Sequence, residues 1–333
     1  MTRGGPRPYR VPPPLPAQQI DWPATFGTRF TLFVDVEEEF DWSAPPAREH
    51  RATTAMAAFP AAHRRFADRG VALTCMVDHP IATDPRSVDI LTQILRDRRS
   101  TIGVQLHAWV TPPFDESLTS VNSYAGNLPP AMEAAKIDAM THAIQIAFGR
   151  TPLAYRAGRY GIGPATLGLL AARGYRIDSS VRARYDYAAD GGPDFGAIGT
   201  AAYRDGAMIE LPLTTIFTGA ARRGGARLYR ALGGIPHARG LFARAGLLSR
   251  IALTPEDMPI ADALEAIEIA VGEGVRLLNL SFHSPSLVPG HTPYVRDAAA
   301  LRRFHHWWDA VLDRLDRMGV ANASLAEILA AAG

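Results

Sequence analysis

Phe30–Trp42 reads FTLFVDVEEEFDW. Its first half, Phe30-Thr31-Leu32-Phe33-Val34, is an apolar run of β-formers, and it then drops into acids, Asp35, Glu37, Glu38 and Glu39. Parallel strands open their C-terminal ends on one face, so a buried strand ending in carboxylates brings acids to the mouth of a sheet or barrel. Burying one ionised carboxylate is costly unless a cation or hydrogen bonds compensate it, and several together need more. The plainer alternative is a strand that runs out into a solvated acidic loop. The rest of the chain decides between the two.

Working outward, strand and helix signals alternate. Strands are expected at 29–36, 71–77, 101–106, 153–156, 175–178, 208–213 and 275–282. Helices are expected at 53–70, 130–148, 164–173, 260–271, 296–317 and 324–331, with a further helix start at Asp84-Pro85. Asp84 and Ser324 are suited to cap helix starts, and Gly149 and Gly174 to stop helices. This alternation predicts an α/β fold built on a parallel sheet, open or closed. A Pro-rich flexible tail is expected over 1–24 and a single domain over 25–333. The Gly- and Arg-rich stretch near 219–253 breaks the rhythm and reads as a helical insertion.

Composition bounds the function. With 333 residues, 47% hydrophobic and 20% charged, the chain can bury a large core. The net charge is only +2, from 35 Lys+Arg against 33 Asp+Glu, with no basic block interleaved with aromatics, so no nucleic-acid partner is expected. Arg222–Arg250 is a local exception that suits either an anionic polymer or the wet side of helices. The single cysteine, Cys75, excludes an intrachain disulfide and a Cys-based zinc cluster. No apolar run is long enough to cross a bilayer and the N-terminal segment lacks the apolar core of a signal peptide, so a cytoplasmic location is expected.

Four polar groups stand where expected strands stop: Asp35/Glu37, Gln105-Leu106-His107, Arg156 in YRAGRYG, and His283 in LNLSFHSPS. In a parallel sheet or barrel these groups can converge. Each has a plain structural alternative. A lone His at a strand end is more often structural, and Arg156 and Arg159 can serve only to pair with acids. The combination of an acid pair, two imidazoles and a guanidinium, all placed alike, favours a catalytic reading.

The segments FVDVEEEFDW, IGVQLHAWVTPPF, YRAGRYGIGP, GYRIDSSV, ELPLTTIFTG and LSFHSPSLVPGHTPYVRD come in one order over about residues 29–297. In that order they resemble the polysaccharide deacetylases of NodB-homology type, carbohydrate esterase family 4 in the broad sense, and within them the WalW-like branch. The resemblance implies a distorted (β/α) barrel of about seven strands. It implies hydrolysis of an N-acetyl, less often O-acetyl, group on an acylated carbohydrate. It also implies a divalent metal, Zn²⁺ first, with Mn²⁺, Co²⁺ or Ni²⁺ as substitutes. By motif position Asp35 matches the general base, Arg156 the arginine that orients it, His283 the general acid and Glu37 a metal carboxylate.

The second motif departs from the family. Gln105 stands where its first histidine is expected and Trp109 where its second is, which leaves His107 two residues beyond Gln105. Residues at i and i+2 on a strand share a face, so Glu37, His107 and Gln105 form the expected ligand set, oxygen-richer and weaker than His₂Asp. His79 and His291 are further candidate ligands. Trp42, Trp109, Arg159 and Tyr160 are candidate sugar-binding residues, Phe282 is a stacking or core residue, and the Gly158–Tyr160 turn is a candidate oxyanion donor. A metal-free hydrolase of allantoinase type and a silent glycan-binding or assembly protein are the alternatives. A glycosidase using Asp35 and a neighbouring acid ranks last, because two acids so close in sequence seldom flank a sugar ring.

Overall fold

The computed structural model describes residues 8–333. Its strands are β1 (Arg29–Val36), β2 (Leu73–Val77), β3 (Thr101–Leu106), β4 (Ala154–Ala157), β5 (Ile177–Asp178), β6 (Tyr203–Asp205), β7 (Met208–Glu210), β8 (Thr215–Thr218), β9 (Ser249–Ala252), β10 (Leu277–His283) and β11 (Ala321–Asn322). The main sheet runs in the order β10-β1-β2-β3-β4-β5-β7-β6, with β11 beside β1. The first seven of these, β10 to β7, pair in parallel, and β6 turns back antiparallel on β7. The expected seven-strand distorted barrel is therefore present. Among the described residues no continuous ladder closes it. The Thr214 N–H donates to the Asn279 carbonyl at 3.1 Å and Asn279 Nδ2 donates to the Leu211 carbonyl at 2.8 Å, joining the chain after β7 to β10.

The helices are α1 (Phe59–Ala67), α2 (His79–Thr83), α3 (Pro85–Ile94), α4 (Pro130–Phe148), α5 (Thr166–Ala171), α6 (Gly225–Leu232), α7 (Ala238–Arg244), α8 (Ile260–Gly272), α9 (Ala298–Arg317) and α10 (Leu325–Ala332). Asp84 caps α3 by accepting from the Ser87 N–H, and Ser324 and Glu327 form a capping box on α10. The long α9 buries Phe304, Trp307, Trp308, Val311, Leu312 and Leu315. Phe282 of β10 packs there, 5.5 Å from both Phe304 and Trp308, so it is a core residue and not a sugar platform.

The strands carry two layers on their inner face. Phe33, Met76, Ala154, Ile177, Ile209 and Leu277 form an apolar floor, sealed from below by Trp22, Phe26, Leu325 and Ile328. One step of two residues further along β1, β4 and β10 the inner face turns polar: Phe33 gives way to Asp35, Ala154 to Arg156, and Leu277 to Asn279, Ser281 and His283. Gly103 leads likewise to Gln105, and a Cβ at Gly103 would sit 2.7 Å from Met76 Sδ, so the floor needs glycine there. The period of two thus builds the floor and the site on the same strands.

Residues 1–7 of the expected tail lie outside the described residues. From residue 8 the chain is laid against the domain. Val11 is buried and its N–H donates to the Asp194 carbonyl, the Ile20 N–H donates to the Ala202 carbonyl, and Trp22 stacks on Phe26 at 4.5 Å. Apolar side chains scattered among the prolines supply these anchors. The stretch read as an insertion carries α6, α7 and β9, and β9 pairs antiparallel with β8, which precedes the stretch, in a separate two-stranded sheet. Among the described residues no helix is long and apolar enough to cross a membrane.

Candidate active site

β1 and β10 are neighbours, and their register sets Asp35 directly beside His283. Both residues line a cavity of about 550 Å³ at the C-terminal mouth of the barrel, together with Glu37, Gln105, His107 and Arg156. The four strand-end groups that the sequence singles out are therefore brought together.

Asp35 and His283 each have a dedicated, buried partner. Arg156 Nη1 donates to Asp35 Oδ1 at 2.6 Å. The guanidinium is itself fixed by Nε donating to the Ser179 carbonyl at 2.9 Å and Nη2 donating to Ser179 Oγ at 3.0 Å. Asp35 Oδ2 is left facing His283 Nε2 at 3.5 Å, a charge contact and too long for a good hydrogen bond. On its other side the His283 ring donates from Nδ1 to Glu256 Oε2 at 2.6 Å. The other Glu256 oxygen accepts from the His283 backbone N–H at 3.0 Å and from Ser286 Oγ at 2.7 Å. Burial alone would push the His283 imidazolium down. Glu256 first, then Glu37 and Asp35, outweigh it and raise its pKa to about 10. Glu256 is held below the usual carboxylate range, the burial that would raise it being overcome by His283 and by hydrogen bonds from His283 and Ser286.

The opposite wall is arranged differently. Gln105 Nε2 donates to Glu37 Oε2 at 2.9 Å. His107 Nδ1 meets Glu38 Oε2 at 2.7 Å, which places the ring proton there and turns the Nε2 lone pair toward Glu37 Oε2, 3.5 Å away. Glu38 is fully buried and also accepts from Trp109 Nε1 at 2.8 Å, and its own N–H donates to Asp78 Oδ2 at 2.6 Å. Burial raises Glu37 to about 8, against the opposing pull of His283 and His107. Gly158 admits the His107 ring, since a Cβ there would collide with His107 Cδ2. The two residues that follow, Arg159 and Tyr160, both adopt left-handed backbone, φ 55° and 60°, a strained pair at the cavity rim.

The divalent ion that the resemblance implies meets a donor set that fits it. Glu37 Oε1 and Gln105 Oε1 are buried with no hydrogen-bond partner. Once Glu37 is ionised, its Oε2 and the His107 lone pair are two acceptors facing each other, an arrangement that a cation relieves. Glu38, Asp78 and His107 also bring one donor atom each within 4.8 Å of one another. The carboxylate oxygens of that group are already engaged by Trp109, His107, the Glu38 N–H and the Ile81 N–H, so the open donors lie on the Glu37 side.

The remaining expected residues divide. Trp42 is half-buried, stacks on Phe40 at 4.7 Å and presents its ring edge-on to His283 at 5.1 Å. Tyr160 and Arg159 line the cavity. Trp109 lines it too but is buried, with one ring face on His107 at 4.2 Å, so it braces that imidazole instead of offering an open platform. His79 lines a different cavity with Pro85 and His142 and contacts Arg51, and His291 pairs with Glu39. Neither joins the cluster. Sequence reading missed Glu256, Glu38 as the His107 partner, and Arg182 on the cavity wall. Glu256 lies four residues beyond the end of β9, in LTPED, whereas Asp35 lies within β1.

No family model matches the chain, and no curated protein matches it in sequence. Among solved structures, one described as that of a polysaccharide deacetylase from Mycobacterium smegmatis is 19% identical, covers 93% of this chain and 98% of that chain, and has a TM-score of 0.45. A 4-alpha-glucanotransferase from Thermococcus litoralis aligns at 11% identity and TM-score 0.50, over 91% of this chain and 40% of that chain. A chitin deacetylase from Colletotrichum lindemuthianum aligns at 12% identity and TM-score 0.43, over 95% and 92% of the two chains. The chain has a distorted-barrel architecture of seven parallel strands. Likeness this remote speaks to fold alone.

Proposed function

We propose that the protein hydrolyses an acyl group, N-acetyl first and O-acetyl second, on a sugar or glycan. The observation that carries this reading is the pair Asp35 and His283. They face each other across 3.5 Å at the mouth of one cavity, and each is held by its own buried counter-charge, Arg156 or Glu256. Such a pair supplies what amide hydrolysis needs. Water adds to the acyl carbon and gives its proton to Asp35, whose Oδ2 is free while Arg156 holds Oδ1. The carbon–nitrogen bond then breaks, the leaving nitrogen takes the proton of His283 Nε2, and the products are an amine and acetate. Glu256 keeps the imidazole charged and aimed through Nδ1, so that Nε2–H is the atom presented.

Glu37, Gln105 and His107 would hold a divalent ion, which would supply Lewis-acid activation of water and carbonyl. A carboxylate, an amide oxygen and one imidazole make a harder, weaker set than two imidazoles and an acid, so manganese or cobalt stands beside zinc as occupant. Trp42 and Tyr160 are positioned to contact the sugar. The test is acetate release from a panel of acetylated amino sugars and oligosaccharides, with and without added divalent ions. Activity that survives Asp35→Asn unchanged sinks the reading.

A further inference from the structure

We infer that the substrate of this site is a polyanionic sugar chain, guided out of the cavity by a ladder of stacked arginines and tyrosines; the inference rests on the proposed acyl hydrolysis. Arg182 stands on the cavity wall. Its only side-chain hydrogen bond is Nη1 to Tyr187 Oη at 3.3 Å, its Nε is buried without a partner, and no carboxylate pairs with it among the described residues. Arg159, on the same wall, donates to Ser120 O and Ser123 Oγ and likewise has no acid. Arg156 is already committed to Asp35, so two guanidiniums remain for a ligand.

From Arg182 the ladder leads away from the reacting centre. The guanidinium lies 5.4 Å from the Tyr160 ring centre and 4.0 Å from that of Tyr185. Arg250 lies on Tyr185 at 3.4 Å and near Tyr229 at 4.8 Å, and Arg239 lies on Tyr229 at 4.3 Å. Arg250 Nε is also buried without a partner, while its Nη1 donates to the Arg184 carbonyl at 3.0 Å. Arg184 in turn lines a second cavity of about 500 Å³ with Arg222, Arg223 and Arg227, where Glu273 is the one acid.

The charge here is concentrated against the composition of the chain. The whole protein carries +2, yet between Glu210 and Glu256 the sequence has seven arginines and no acid. That basic stretch ends on Glu256, the partner of His283, so it is anchored at the reacting centre. Cation–π contacts offset only part of the cost of leaving guanidiniums without counter-ions. Their N–H edges suit carboxylate or phosphate groups. Arg182 and Arg250 lie over the Tyr185 ring and Tyr187 stacks beside it at 6.1 Å, so this is no free platform for nucleobases, and a charged glycan fits better than a single-stranded nucleic acid.

The full-length protein is assayed at low salt for acetate release from oligosaccharides of equal length. The neutral probe is a chito-oligosaccharide, the carboxylate probe is N-acetylheparosan, and the phosphodiester probe is poly(N-acetylglucosamine 1-phosphate). The expected result is a kcat/KM for one charged probe roughly 10–100-fold above the neutral one, carried by KM and eroded by salt. Whichever charged probe wins identifies the anion. Arg182→Gln and Arg250→Gln should bring the charged-to-neutral ratio toward one, and Arg239→Gln, at the exposed outer rung, should lower it by about two- to threefold with an unchanged Tm. A neutral probe used as well as the charged ones, or a ratio that none of the three variants moves, overturns the inference and leaves acyl hydrolysis standing. If no probe releases acetate, acyl hydrolysis fails, and calorimetry of the charged oligosaccharides with wild type and Arg182→Gln decides the inference. Binding weakened tenfold or more by the substitution supports it. Absent binding, or tighter binding of single-stranded DNA, overturns it.

Discussion

On the β10 side of the cavity each ionisable side chain of the reacting pair is held by a buried partner: Asp35 by Arg156, His283 by Glu256, and Glu256 by Ser286 and a backbone N–H besides. On the β3 side Glu37 and Gln105 each keep a buried oxygen without a hydrogen bond, and His107 turns a lone pair toward a carboxylate. Buried polar groups are rarely left unsatisfied in a folded chain, and the exceptions concentrate where a ligand completes them. One wall is thus finished by folding. The other keeps donors open, as the proposed divalent ion would require. The two walls should respond oppositely to the same kind of substitution.

The largest effect should come from the finished wall. Asp35→Asn and His283→Ala each remove a proton carrier, and acetate release should fall by about 10²–10⁴-fold in kcat. The same Asp35→Asn change strands the buried Arg156 and should cost about 3–5 kcal/mol of stability. Glu37→Gln, by contrast, places an amide N–H where His107 Nε2 offers a lone pair, once the Gln105 amide turns over so that its unpartnered Oε1 accepts at the position where its Nε2 now donates. In chelator-treated protein it should stabilise the fold by about 1 kcal/mol. Urea unfolding of the two variants, with and without chelator, reads the contrast directly. Destabilisation of similar size in both would erase the distinction between the walls.

Glu256→Gln tests how the finished wall sets its proton. Glu256 is the main group raising His283, so its neutralisation should let burial draw the imidazolium pKa down. In wild type the imidazolium contributes stability in full below the unfolded histidine value of about 6.5, and that contribution is lost as pH rises through about 10. Activity that depends on the same proton should fall over the alkaline end of that window. In the variant the alkaline limb should move to lower pH, with kcat at neutral pH reduced roughly 10–100-fold. A pH–rate profile that keeps its alkaline limb in place would remove Glu256 from any role in holding the proton.

Much of this was legible in the sequence for a physical reason. Seven parallel strands write themselves as apolar runs, and their common polarity puts strand-end polar residues on one face, so Asp35, Gln105, His107, Arg156 and His283 could be gathered without coordinates. What escaped lay where that rule does not apply. The β6–β7 hairpin turns on Gly206-Ala207, with Gly206 at φ 58°, a local signal of the kind that marks tight hairpin turns. β8 and β9 are short and sit outside the main sheet, so Glu256 after β9 did not read as a strand-end acid. Glu38 alternates away from Glu37, and nothing in FVDVEEEF says that a third acid is buried against an imidazole. The anchoring of residues 8–28 depends on Val11 and Trp22 finding apolar surface, which a Pro-rich stretch does not announce.

The smallest effect should come from completing the open wall by mutation. Gln105 points from β3 toward Glu37, beside His107, and the amide is the weakest donor of the three. Gln105→His replaces an amide oxygen with an imidazole at the position where the resembling family carries its first histidine. One added bond worth even ~1.4 kcal/mol tightens the Kd tenfold. Titration calorimetry with Zn²⁺ and Mn²⁺ should show the gain chiefly for zinc, because nitrogen ligands favour it over the harder ion. The gain should vanish when Glu37→Gln is added, since the carboxylate supplies the charge that holds the cation. If Gln105→His leaves both affinities unmoved while chelation still abolishes activity, the ion sits elsewhere. The Glu38, Asp78 and His107 group would then have to release its internal hydrogen bonds to hold it.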